Sequence, residues 1–367
     1  MPHIDQLSAC LDRLAAFEPG PFPVISLYLN LQADDRGRDR FEPFLRRELA
    51  ARIRTYASSG PERESLQTDA DKIRGYVAGI EASANGLALF ASSGADLFEP
   101  LTLAAPIDAH RLYISDEPHV YPLARIVDAY PRYLALLADT NSARIFVFAA
   151  NTLEKASQIQ GAKTKHHKQG GWSQARYRRH VENVHVRHAK EVVEHVARIV
   201  REEAIDRIVL SGDEVVLPLL RDQMPKDVAG RIVDLVRLEA HAPEHDVLHS
   251  TIAALKEKDA ATDRERVDAL LDAYRASGLA SVGVEDTLKA FEIGRVDELL
   301  LTGAADAIDV GAGKRVQDTS TPQTRSAEER AADMLIAQAR KTGAKVRFIE
   351  DVSLLQAVGG VGAFLRF

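Results

Sequence analysis

The chain has 367 residues, of which 46% are hydrophobic and 28% are charged, and its net charge at pH 7 is -7. This length can bury more than one hydrophobic core and predicts two or three domains. A single cysteine, Cys10, excludes an internal disulfide framework and a multi-cysteine zinc site. No apolar run approaches the roughly 20 residues of a membrane helix, and the N-terminus is unlike a signal peptide. We therefore expect a cytoplasmic protein with no membrane partner.

The first part of the chain alternates strands and helices, which predicts an α/β domain over residues 1–128. The pattern gives a strand over 22–30, helices over 41–56 and 69–80, and strands over 86–91 and 97–103. The N-terminal stretch is an amphipathic helix, in which Cys10 is expected to be a core residue rather than a nucleophile. Arginines mixed with acids indicate a solvated surface here rather than an RNA site: Arg36, Arg38, Arg40, Arg46 and Arg47.

The middle part, residues 129–260, begins with a predicted hairpin. Strands are expected over 134–138, 143–149 and 152–159, with turn-forming residues between the first two. No regular pattern follows until about Gln174, where a helical spacing of apolar residues begins. An unpatterned loop of this length is functional or disordered, and we expect it to be mobile, with a tip that reaches on the order of 20 Å from the domain. A strand over 206–212 and a helix over 214–221 follow, and a long charged helix over 245–276 is expected to carry the chain into the last part.

The last part, residues 261–367, alternates again. It predicts helices over 284–293 and 327–341 and strands over 298–302, 345–349 and 362–367. Ser326 and Glu329 form a capping box that fixes the start of the second helix. The polar stretch over 303–325 is expected to be a mobile loop.

The stretch over 165–183 reads KHHKQGGWSQARYRRHVEN and is the most unusual part of the sequence. Between Lys163 and Lys190 eight cations face one acid, Glu182, which gives +7 and leaves -14 on the rest of the chain. A cationic element on an acidic protein suits a polyanion bound at one place. Five histidines in the same segment would raise its charge further below neutral pH. We therefore predict a nucleic-acid interface here.

This motif and the amphipathic helix after it resemble the signature of the class 1 archaeo-eukaryotic release factors, where a Gly-Gly-Gln loop leads into Ser-Ala-x-Arg-Phe-x-Arg. The chain is most similar to the bacterial branch of the release factor and Pelota superfamily, beside the Vms-type peptidyl-tRNA hydrolases and the Balon-like hibernation factors. The resemblance implies three domains: an N-terminal α/β domain over 1–128, a ribonuclease-H-like middle domain over 129–260 and a C-terminal α/β/α domain of the kink-turn-binding type over 261–367.

The matching positions are Gly170 and Gly171 for the glycine pair, then Ser173, Arg176, Tyr177 and Arg179. Trp172 stands at the glutamine position, and Gln174 follows two residues later. Gln174 either takes over the role of the family glutamine or is a helix-start residue without chemistry. Trp172 either stacks on a terminal base or anchors the base of the loop.

The resemblance implies an A-site factor that contacts large-subunit RNA and the tRNA acceptor end, and it leaves a translational GTPase open as a further partner. The catalytic residues would be Gly170, Gly171 and Gln174. The RNA-binding residues would be Lys165, Lys168, Trp172, Ser173, Arg176, Tyr177, Arg178 and Arg179. Neither a cofactor nor a metal is expected.

Four functions remain open. The leading one is hydrolysis of peptidyl-tRNA in ribosome rescue, and the alternative is a hibernation factor that occupies the same site without cleavage. A tRNA nuclease would need an acid or histidine near the loop, for which His166 and His167 are the local candidates. RNA binding without catalysis is the fourth. The histidines 241, 245 and 249, and His185 with His188, have metal-ligand spacing, but solvated helix faces are the commoner explanation.

Overall fold

The computed structural model describes residues 4–33, 41–57, 59–80, 84–161, 173–311 and 325–367, with the side chains of 173–178 excepted. Two compact units are present, one made of Met1–Ala129 with Ala260–Phe367 and the other of Tyr130–Asp259. Both are mixtures of helices and strands, and the described residues form three β-sheets. None of the described helices is long and apolar enough to cross a membrane.

The N-terminal part of the first unit is a four-stranded antiparallel sheet, in the order β3-β2-β1-β4. Its elements are α1 (Ile4–Ala15), β1 (Val24–Asn30), α2 (Phe41–Ile53), α3 (Pro61–Val77), β2 (Gly86–Ser92), β3 (Leu97–Leu103), β4 (Arg111–Ser115) and α4 (Tyr121–Ala129). The apolar faces of α2 and α3 pack on one side of the sheet and form one hydrophobic core. Cys10 of α1 is buried as expected, and burial raises the pKa of its thiol to about 12, so it stays protonated.

The second unit is a five-stranded sheet in the order β7-β6-β5-β8-β9. Its elements are β5 (Tyr133–Ala138), β6 (Ser142–Ala149), β7 (Thr152–Gln160), α5 (Ser173–Glu202), β8 (Ile208–Gly212), α6 (Val216–Gln223), α7 (Lys226–Ala229), β9 (Ile232–Leu235) and the first half of α8 (Glu244–Arg275). The first three strands are antiparallel, and β8 and β9 run parallel to β5. Counted within the unit, the order is 3-2-1-4-5, as expected for a ribonuclease-H-like domain.

Both faces of this sheet are covered, and this explains its unbroken apolar strands. In β5 alternate residues point to opposite faces, so Leu134 and Leu136 pack against α5 and α6 while Tyr133 and Ala135 pack against α8. The hydroxyl of Tyr133 lies 2.8 Å from that of Thr251 on α8. The sheet is therefore a rigid platform for α5.

The C-terminal part of the first unit is a four-stranded sheet in the order β10-β13-β11-β12. Its elements are the second half of α8, β10 (Ala280–Val282), α9 (Val284–Glu292), β11 (Val296–Thr302), α10 (Ala327–Thr342), β12 (Lys345–Ile349), α11 (Val352–Leu355) and β13 (Val361–Leu365). Leu270 of α8 and Leu355 of α11 pack with Leu300 on one face. Since side chains alternate along β11, the opposite face receives α9 and α10, and the result is an α/β/α sandwich.

A buried polar network joins the two parts of the first unit. The carboxylate of Asp333 on α10 accepts from the backbone N–H groups of Val120 and Tyr121 at 2.9 and 2.8 Å. Its second oxygen lies 2.7 Å from Nδ1 of His119 and 2.6 Å from Arg325. Asp333 is 4% exposed, so this ionic group is almost fully removed from water, and it caps α4 from more than 200 residues away in the sequence.

Most predicted elements are confirmed, and the corrections have physical reasons. The helix expected over 69–80 begins at Pro61, because proline and acidic residues suit a first helical turn although that turn has few apolar side chains. α4 was missed because its N-terminal N–H groups are satisfied by the distant Asp333 rather than by a local cap. β4, α7, β9, β10 and α11 were missed because each has at most five residues and too little pattern.

The capping box at Ser326 and Glu329 is present as predicted. Residues 312–324 of the loop expected over 303–325 lie outside the described residues. The domain boundaries at 128/129 and 260/261 stay a prediction.

Candidate nucleic-acid interface

Only part of the predicted site falls within the described chain. Five of its residues lie outside it: Lys165, Lys168, Gly170, Gly171 and Trp172. Five others lie in the first two turns of α5 with only their backbone described: Ser173, Gln174, Arg176, Tyr177 and Arg178. Arg179 follows them on the same helix, and its side chain is exposed. The helix predicted to begin at about Gln174 begins at Ser173.

The first described side chains of α5 are not buried. Among the described side chains from Arg179 to Asn183, all are exposed or half-buried, and Val184 is the first buried one. The first α5 residue in the hydrophobic core of the unit is Ala189. At about 1.5 Å per residue, Ser173 therefore lies roughly 24 Å along the helix axis from the core. We call the stretch from Ser173 to Asn183 the arm.

The electrostatics of the arm favour an anion. The first turn of any helix presents N–H groups without intrahelical acceptors, and the helix dipole adds partial positive charge there. In α5 this turn is followed by arginines in the sequence and by the exposed Arg179. Further along, exposed Arg187 and Lys190 continue the cationic side, and Lys190 lies 3.9 Å from Glu194 in an exposed ion pair. Phosphate oxygens are the ligands that suit such a surface.

The helix is held by its second half. A row of buried residues packs on the sheet, made of Ala189, Val192, Val193, Val196, Ala197, Ile199 and Val200. Near the helix end, Arg201 pairs with Asp227 of α7. The second half of α5 is thus anchored on the sheet, whereas no side chain from Arg179 to Asn183 is buried.

Strands β5 and β6 are joined by a tight turn. Asp139 accepts from the backbone N–H groups of Asn141 and Ser142, both at 2.7 Å, and its own N–H donates to Ser142 O at 2.8 Å. The predicted turn between β5 and β6 is therefore confirmed as a hydrogen-bonded one. Its Asn141 carbonyl accepts from the N–H of Gly161 at 2.7 Å. Gly161 directly follows β7 and is the last described residue before the glycine-rich motif.

His188 of α5 differs from the solvated residue that was expected, and His195 on the same helix is half-buried. His188 is only 3% exposed and packs against Gly161. His195 lies 3.4 Å from Ser157, and its pKa is lowered by burial and by the nearby charges of Arg198 and Lys155. Within the described residues, no group of three or more His, Cys, Asp or Glu could hold a metal ion. The sequence signal for the His188 contact was a lone glycine at a strand end.

Comparison with known proteins gives two family matches and several relatives. Residues 118–256 match the family described as bacterial archaeo-eukaryotic release factor family 10, and residues 260–367 match eRF1 domain 3. Peptide chain release factor subunit 1 of Thermococcus onnurineus is 23% identical over 299 residues, covering 70% of this chain and 71% of that protein. An uncharacterised protein of Mycobacterium tuberculosis is 25% identical over 376 residues, covering 97% and 96%.

Among solved structures, a model of ribosome-bound archaeal Pelota and ABCE1 aligns with this chain at 12% identity and a TM-score of 0.43. The alignment covers 99% of this chain and 94% of that one.

Proposed function

The chain belongs to the bacterial branch of the archaeo-eukaryotic release factor and Pelota superfamily, and on that ground we propose that it is a ribosome-associated translation factor. It enters the A site and places residues 170–174 at the peptidyl-transferase centre. The observation that carries the proposal is the arm of α5, which is rich in arginine, has no buried side chain from Arg179 to Asn183 and follows Trp172 and the glycine pair in the sequence. Its leading activity is the hydrolysis of peptidyl-tRNA in ribosome rescue.

Hydrolysis of the peptidyl-tRNA ester requires few protein groups. Water adds to the carbonyl carbon of the ester between peptide and tRNA, the bond to the ribose oxygen breaks, and that oxygen takes up a proton. Hydrogen-bond donors that stabilise the developing oxyanion supply the main acceleration. Gln174 is the second residue of α5, so its backbone N–H belongs to the first turn, and its amide is the group that would position the water.

Binding precedes this chemistry and uses other residues. Gly170 and Gly171 would allow the backbone to approach the ester closely. Arg176, Arg178 and Arg179 would meet the acceptor-stem phosphates, and Trp172 would stack on a base. Lys165, Lys168, Ser173 and Tyr177 complete the RNA contacts in this proposal.

A second candidate is a hibernation factor that occupies the same site without cleaving the ester. Two observations favour it: Trp172 stands where the family has its glutamine, and Gln174 is already within a regular helix. A helical backbone limits how far an amide can turn towards a substrate. The arm would then only block the A site, and Trp172 would hold it there by stacking on a base.

One experiment separates these functions. Purified protein is incubated with stalled ribosome complexes that carry labelled peptidyl-tRNA, and peptide release, tRNA cleavage and A-site occupancy are measured together. Released peptide with intact tRNA supports the hydrolase, and occupancy alone moves the assignment to hibernation. Cut tRNA would indicate a nuclease. No binding at all would refute the A-site proposal.

A further inference from the structure

The place where α5 meets the end of β7 contains a contact too tight for any side chain except hydrogen at residue 161. A Cβ on Gly161 would lie 2.9 Å from Nδ1 and 3.0 Å from Cγ of His188, and 3.2 Å from the carbonyl oxygen of Asn141. Real Cβ atoms do not come this close to backbone and ring atoms without displacing them. The imidazole ring therefore lies directly on the backbone of Gly161.

This contact is fixed from both sides. On one side, Gly161 donates its N–H to Asn141 in the turn that Asp139 holds. On the other, the helix that bears His188 enters the hydrophobic core at the very next residue, Ala189. The ring is thus clamped between a hydrogen-bonded turn and an anchored helix. It lies where the anchored half of α5 ends and the stretch leading to the arm begins.

His188 contacts Gly161 by van der Waals packing of its ring and not by a hydrogen bond. Neither Nδ1 nor Nε2 of His188 has a hydrogen-bond partner in the described part of the chain, although the residue is 3% exposed. A buried polar group without a partner costs free energy, on the order of 1–3 kcal/mol. An aromatic hydrocarbon of similar shape would therefore fill the same place without that penalty.

We propose that His188 is a positioning residue, whose ring against Gly161 fixes α5 against the end of β7 and so sets the direction of the arm of α5. This inference rests on the proposed function and deepens it, because it assigns a role to a residue outside the motif. Small errors in placement matter for a group that must meet a scissile bond: a misplacement of about 1 Å can cost on the order of 10²-fold in rate.

The test is a double-mutant cycle with Gly161→Ala, His188→Ala and the pair together. Each single change is expected to slow peptide release, or to speed dissociation from the A site if the protein is a hibernation factor, by about 10-fold. The pair should be no worse than the worse single change, because both disturb one contact. His188→Phe should restore most of the wild-type value, since it keeps a ring. His195→Ala, on the same helix but away from Gly161, is the matched control.

A structural readout separates this inference from the proposed function. Exchange of the Gly161 amide hydrogen, whose N–H is bonded to Asn141, should accelerate in His188→Ala and stay slow in His188→Phe and His195→Ala. Faster exchange without any change in release or occupancy would overturn the positioning role and leave the proposed function intact. If His188→Phe is as impaired as His188→Ala, the nitrogens matter and the inference is wrong.

If the wild-type protein neither releases peptide nor occupies the A site, the proposed function fails. The exchange rates then decide alone whether His188 holds Gly161. Unchanged exchange in His188→Ala would refute that contact as well.

Discussion

Substitutions at Trp172 and Gln174 distinguish the hydrolase from the hibernation factor. If Gln174 positions the attacking water, Gln174→Ala should slow peptide release by about 10²–10³-fold, the usual loss for one oxyanion donor, with ribosome affinity little changed. Single-turnover release on stalled complexes measures this. Under the hibernation hypothesis the same change should be nearly silent, and Trp172→Ala should shorten A-site occupancy instead. A Gln174→Ala variant that releases peptide at the wild-type rate would remove Gln174 from the chemistry.

At the same scale, one buried acid should make stability depend on pH. Asp69 of α3 is fully buried and accepts from the N–H and hydroxyl of Ser93 at 2.7 and 2.5 Å. Burial raises the pKa of its carboxyl above the ordinary 3.8, although the Ser93 bonds oppose this. The folded state therefore prefers the protonated acid, so this contribution is complete below pH 3.8 and is lost as pH rises through the raised pKa.

Asp69→Asn removes the titrating carboxyl but keeps a side-chain oxygen that can accept the hydrogen bonds from Ser93. The free energy of unfolding of the variant, relative to the wild type, should therefore increase from acid to neutral pH in urea titrations. Asp71→Asn, on the same helix with its side chain in solvent, should show no such trend. A flat difference for Asp69→Asn would mean that the buried carboxyl has its ordinary pKa.

At the scale of elements, α5 shows how far the sequence could predict the site. Its apolar spacing identified the helix and its start, because a long periodic face is a strong signal. The same pattern could not reveal that the side chains from Arg179 to Asn183 are not buried, since that depends on where β7 and the turn at Asp139 end. Nor could it show that His188 is buried, because a histidine at helical spacing suits a surface or a core equally.

The arm makes a prediction for the whole element. Replacing Arg176, Arg178 and Arg179 together by Glu should abolish ribosome or tRNA association, and wild-type binding should weaken steeply with salt, because phosphate contacts release counterions. Arg179 is exposed, and circular dichroism and the melting temperature of the triple variant should remain those of the wild type. The matched control replaces Arg198 and Arg201, near the anchored end of α5, by Glu, and it should leave binding unchanged. Full binding by the triple variant, or binding that ignores salt, would exclude the arm from the interface.

At the scale of the molecule, the sequence predicted the fold class and most elements. It did not predict the contacts between residues 1–129 and residues 260–367. Hydrophobic periodicity is local, whereas Asp333 meets His119 and the start of α4 across more than 200 residues. The same holds for Tyr121, whose hydroxyl donates to Thr302 O at 2.8 Å, and for Arg125, which pairs with Glu350. These contacts make residues 1–129 and 260–367 one compact unit.

The last prediction follows from that unit. Asp333→Ala would leave two backbone N–H groups without their acceptor and would remove the buried carboxylate partner of Arg325, and breaking a buried ion pair on one side costs about 3–5 kcal/mol. In denaturant titrations followed by near-ultraviolet circular dichroism, to which Tyr113 and Tyr121 beside the network contribute, the variant should therefore unfold at a lower denaturant concentration than the wild type. Removing Asp227, which pairs with Arg201 in solvent on the second unit, should change little. If Asp333→Ala is as mild as Asp227→Ala, the buried network does not hold the two ends of the chain together, and each end must be stable through its own sheet.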